Sequence, residues 1–155
     1  MNILPNDASG FVARITDFES TDLLDVKNID KLRQAVAQHQ VLVIGNQDVN
    51  NENFLLELGR VFGKIQVDPR AEHGNRASGG TAYVSNIREN GELIGFMGHG
   101  IMGWHHDRTY LASPPITVLL AAAIVPEQGG DTCFADMYRA YDTMPKSLLE
   151  KIKDL

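Results

Sequence analysis

The chain has 155 residues, 43% hydrophobic and 22% charged, with a net charge of −6 at pH 7. That balance excludes a disordered chain and suits one domain with a buried core. Lys and Arg are scattered through an acidic background with no basic stripe, which argues against nucleic acid or an anionic membrane as the main partner.

Along the chain, Met1 to Asp7 carries no basic run and no long apolar stretch, so no secretory signal is read there. Residues 11–15 read as a short strand. Residues 28–40 read as a helix, with Asn28 or Asp30 as its cap and Ile29, Leu32 and Val36 on one face. Residues 41–44 read as a buried strand stopped by Gly45-Asn46. The apolar spacing of Phe54, Leu55, Leu58, Val61 and Phe62 predicts a second helix over 51–62, ended by Gly63. Residues 66–80 read as a loop, 81–85 as a strand, and Asn90-Gly91 as a turn. The four glycines of 95–103 predict a mobile loop. Residues 104–110 and 131–134 read as extended, and 116–125 as the best buried strand, far too short to span a bilayer. Asp136 is expected to cap a helix over 137–143, and 145–155 opens another.

Strand runs broken by Gly and Pro, with helices at both ends, predict a mainly β fold with flanking helices (α+β). A jelly roll needs about eight strands, so these look like part of one, truncated. The single cysteine, Cys133, cannot form an intrachain disulfide and reads as a buried structural thiol. A cytoplasmic location is expected.

The chemistry concentrates in Gly103-Trp104-His105-His106-Asp107. On a strand, residues i and i+2 share a face, so His105 and Asp107 would offer an imidazole and a carboxylate side by side. These are two parts of the 2-His-1-carboxylate triad that holds non-haem Fe(II). His106 would face the other way. A bare His-x-Asp triplet is common, and an exposed polar strand explains it equally well. A closed zinc site wants four ligands, usually Cys and His, and fits less well. His39 and His73 are isolated and read as surface residues. His99, in the glycine-rich loop, is a minor candidate for touching substrate.

The wider pattern is more specific. Trp104-His105-His106-Asp107 is followed by Ser113-Pro114-Pro115, an apolar run, and Val125-Pro126-Glu127-Gln128-Gly129-Gly130-Asp131-Thr132. Phe134-Ala135-Asp136-Met137, Ala140-Tyr141-Asp142 and Pro145 come next. This ordered set resembles the taurine/2,4-D dioxygenase (TauD/TfdA) family of Fe(II)/2-oxoglutarate-dependent dioxygenases, and covers nearly the whole chain as the N-terminal part of a single domain. The resemblance implies a double-stranded β-helix, iron held by His105 and Asp107, and 2-oxoglutarate as cosubstrate with a carboxylate contacted by Thr132. It implies O2 and a small organic molecule as the other reactants. Trp104 then reads as packing beside the metal strand, and Gly129-Gly130 as the turn before Thr132. No histidine follows His106, and the only later arginines are Arg108 and Arg139. The family's third iron ligand and its 2-oxoglutarate arginine therefore have no match, and the chain alone is expected to be inactive. The alternative is a non-catalytic fragment or subunit that associates through an open sheet edge, which leaves homo-oligomerisation open.

Overall fold

A computed structural model describes residues 1–67, 80–97 and 102–154. The N-terminal part is a small α/β body. β1 (Asn2–Pro5) pairs antiparallel with β2 (Val12–Thr16), and β2 pairs parallel with β3 (Val41–Ile44). Parallel neighbours need a long crossover, and α1 (Val26–His39) supplies it. α1 turns Leu32, Ala35 and His39 inward at i, i+3, i+7, the inner stripe of an amphipathic helix. Its cap is Asp25, which accepts from the Lys27 N–H at 2.9 Å. The expected caps are displaced because Asn28 turns aside and donates its amide to Asp22 Oδ1.

α2 (Glu52–Phe62) starts from Asn51, whose side chain accepts from the Phe54 N–H at 3.1 Å. It lays Phe54, Leu58 and Val61 against Ile15, Phe18 and Leu32 to close the core. The Phe18 and Phe54 rings lie 6.3 Å apart in a tilted pair. Arg33 Nε donates to the Val61 carbonyl at 2.7 Å and pins α1 to the end of α2. Among the described residues, every buried apolar side chain lies between Ala13 and Val61. His39, expected at the surface, is also buried, at 6% exposure. Its Nδ1 donates to the Gly10 carbonyl at 2.7 Å, the partner a buried polar group requires.

Beyond the body the elements are short. β4 (Val84–Ser85) pairs parallel with β7 (Phe96–Met97), so the strand expected over 81–85 shrinks to two residues. β5 (Arg88–Glu89) and β6 (Glu92–Leu93) form a hairpin across Asn90 and Gly91, at φ +52 and +86. Positive φ at both central residues is what a two-residue hairpin loop demands, and Asn-Gly provides it cheaply. The expected loops over 66–80 and 95–103, with His73 and His99, lie largely outside the described residues.

Residues 104–110, 116–125 and 131–134 form no strands. Ile116 and Ile124, expected in a buried strand, are 87% and 79% exposed. A strand exists only beside a hydrogen-bonded neighbour, and among the described residues none flanks this run. The described residues thus form a mixed α/β arrangement with three small sheets, less rich in strand than the mainly β fold expected. The described residues close no barrel and do not show the partial jelly roll expected from the sequence. α3 (Met137–Asp142) is capped by Asp136 as expected, and α4 (Lys146–Ile152) follows. Met137, Tyr138 and Tyr141 of α3 are exposed, and so are Trp104, expected to pack beside the metal strand, and Cys133, expected to be buried. Among the described residues, no helix is long and apolar enough to cross a membrane.

Candidate metal centre

His105 and Asp107 meet, though not by strand alternation. Residues 107–110 form a turn, Arg108 sits at φ +55, and the Leu111 N–H donates back to the Arg108 carbonyl at 3.1 Å. This fold-back brings His105 Nε2 to 3.2 Å from Asp107 Oδ1, with both side chains 48% exposed. His106 Nδ1 instead donates to the backbone carbonyl of Asp107 at 3.1 Å, so it is occupied elsewhere.

The tautomer of His105 follows from one contact. Its Nδ1 lies 2.8 Å from the Gly103 carbonyl. A carbonyl only accepts, so Nδ1 carries the hydrogen, and in the neutral ring Nε2 is left with a lone pair. That lone pair faces a carboxylate oxygen. Two acceptors at this separation call for a proton or a cation between them. Metal-bound histidines commonly tie their other ring N–H to a backbone carbonyl in this way. An ion bound to two neighbouring ligands at about 2.1 Å spreads them about 3 Å apart, close to the observed separation. The donors present therefore fit a divalent metal. The Gly103 carbonyl is the one participant the sequence did not single out, because it is a backbone atom with no side chain to mark it.

Thr132 is not brought to the pair. It is exposed on the irregular stretch before α3, after the turn in which Gly129 and Gly130 take φ +73 and +72. Among the described residues, no hydrogen bond joins Thr132 to His105 or Asp107, and no group of three or more His, Cys, Asp or Glu side chains converges on a metal position.

An imidazole and a carboxylate poised as two oxygen- and nitrogen-type donors define a candidate site for a first-row divalent metal. Comparison with known proteins gives the class its family: the model described as taurine catabolism dioxygenase TauD, TfdA family matches residues 4–155, and the chain belongs to that family. Pentalenolactone F synthase of Streptomyces avermitilis is 32% identical over 152 residues, which is 96% of this chain and 49% of that protein. The (S)-phenoxypropionate/alpha-ketoglutarate-dioxygenase of Sphingobium herbicidovorans is 31% identical over 154 residues, 99% of this chain and 51% of its own length. An alpha-ketoglutarate-dependent sulfonate dioxygenase of Saccharomyces cerevisiae is 30% identical over 146 residues, 91% of this chain and 35% of its own. The chain thus spans about half the length, or less, of these curated relatives. No solved structure matches.

Proposed function

We propose that this chain supplies two metal ligands to an Fe(II)/2-oxoglutarate-dependent oxygenase acting on a small organic substrate. The observation that carries the reading is the His105–Asp107 pair, with Nδ1 locked to Gly103 and Nε2 turned to the carboxylate. When bound, iron and 2-oxoglutarate would activate O2, with one oxygen atom entering the substrate as a hydroxyl and the other entering succinate as 2-oxoglutarate loses CO2. His105 offers a neutral nitrogen, held in one tautomer by Gly103. Asp107 brings the negative charge that offsets a divalent ion. Thr132 is assigned to a 2-oxoglutarate carboxylate, a role suited to an O–H donor. This stretch holds two of the three protein ligands such a centre uses. The 155-residue chain by itself should therefore hold metal weakly and not turn over.

The test is Fe(II)- and O2-dependent succinate formation from 2-oxoglutarate by the polypeptide of the complete reading frame. His105→Ala and Asp107→Ala should each abolish it, and His106→Ala should not. Full turnover by either of the first two variants would overturn the assignment. Turnover by the 155-residue chain well above that of free iron would overturn the claim of incompleteness.

A second reading is favoured by the exposure of Ile116, Leu120, Ile124 and Val125 in one β-prone run. On it, the chain is a non-catalytic fragment or subunit that pairs with another polypeptide through this run. A complete reading frame that forms no succinate, together with a stable stoichiometric complex, would favour it.

A further inference from the structure

The metal-pair turn lies far along the chain from the core, yet three contacts tie its neighbourhood to the body through residues 65–67. Ile65 rests on Gly59 of α2, where an added Cβ would stand 2.7 Å from Ile65 Cδ1 and 3.5 Å from Leu119 Cδ1. Gln66 Nε2 donates to the Ser113 carbonyl at 2.9 Å, and the Arg108 guanidinium reaches the Val67 carbonyl at 3.5 Å. The amide orientation of Gln66 is fixed, because Ser113 offers only an acceptor. Among the described residues, Gln66 Oε1 is buried without a partner, so the Ser113 contact is the one that holds this side chain there.

We propose that Gln66 is a positioning residue for the His105–Asp107 pair. The bond to Ser113 fixes the far end of the segment whose near end is Gly103, and the turn between them carries both donors. Ile65, seated on Gly59, makes that anchor part of the folded body. The inference rests on the metal role of the pair, and its test separates the two.

The 155-residue chain is titrated with Co(II), followed by its visible absorption, and its amide exchange is read peptide by peptide. Gln66→Met keeps length and removes the donor, while Gln66→Lys keeps a donor. Gln66→Met should weaken Co(II) binding by about tenfold, as loss of an outer-shell partner does. It should also speed exchange in residues 105–113 and leave residues 26–39 unchanged. Gln66→Lys should restore both. The proposal is overturned if exchange in 105–113 matches that of the unsubstituted chain. It is also overturned if α1 loosens equally, or if Co(II) affinity is unmoved while His105→Ala abolishes it. Should His105→Ala bind Co(II) as the unsubstituted chain does, the metal role of the pair fails, and exchange alone then decides whether Gln66 anchors the turn.

Discussion

Leu32 has no exposed surface and sits among Ile15, Phe18, Phe54, Leu58 and Val61. Leu32→Ala removes that packing from a core with no second layer. Buried Leu→Ala changes cost about 2.7–5.0 kcal/mol, more where the cavity cannot collapse. Arg33, bonded to Val61, stiffens one wall of this cavity, so about 3–4 kcal/mol is expected. A body of roughly 60 residues holds about 3–9 kcal/mol in all, so one substitution removes a third of its stability or more. Urea unfolding followed by far-ultraviolet circular dichroism measures this, since α1 and α2 lie in the body. The sole tryptophan, Trp104, is 75% exposed and outside the core. Its emission should already be that of a solvated indole and should change little through the transition. A loss under about 1 kcal/mol would refute the single-core argument. So would a Trp104 emission that starts buried and shifts with the helical signal, because residue 104 would then be packed on the body.

Further outcomes follow from other contacts. Asp25→Ala should cost about 1 kcal/mol, the usual value of a lost N-cap, with a matching fall in the urea midpoint. His105→Ala and Asp107→Ala should each change stability by less than about 1 kcal/mol, because a half-exposed pair contributes little, so their effect on metal binding is not an unfolding effect. The Asp7 carboxyl is held below its ordinary value, first by the Ser9 hydroxyl and then by the Ser9 N–H. Its contribution to stability is thus present above the unfolded value and is lost as pH falls through the lower, folded one. Ser9→Ala should raise the Asp7 titration in carboxyl carbon NMR, and an unmoved curve would contradict the hydrogen-bond cause. Ile116→Lys with Ile124→Lys should reduce self-association in sedimentation velocity. A chain that is monomeric at high concentration without these changes would show the exposed run to be inert.

The body was readable because its signals are local. The 3.6-residue spacing of Phe54, Leu58 and Val61, the Val41–Ile44 run and the Asn90-Gly91 turn each need only neighbours in sequence. The cap of α1 was misplaced because Asp22, Asp25, Asn28 and Asp30 all have capping chemistry, and only the Asp22–Asn28 contact selects Asp25. Residues 116–125 failed for another reason. Their composition encodes a preference for pairing, but pairing needs a partner, and no property of the run supplies one. His39 was misjudged because its burial depends on the Gly10 carbonyl, which lies across the sheet and far away in sequence. At the site, the His-x-Asp spacing pointed to two side chains that do meet, though a turn brings them together and not the alternation of a strand. The anchoring role proposed for Gln66 has no signature beyond a polar residue after a helix.

Among the described residues the buried core is confined to 13–61, which also bears on how the chain is made. A ribosome adding about 5–20 residues per second needs roughly 2–9 seconds to go from Phe62 to His105. Contacts this local let a small α/β unit form in well under a second. The N-terminal unit is thus expected to be folded outside the ribosome while the metal-pair turn is still inside the exit tunnel. His105 and Asp107 then emerge after Ile65, which can by then be seated on Gly59. The order of synthesis runs from scaffold to Gln66 to donors, and Ser113, made after them, closes the anchoring bond.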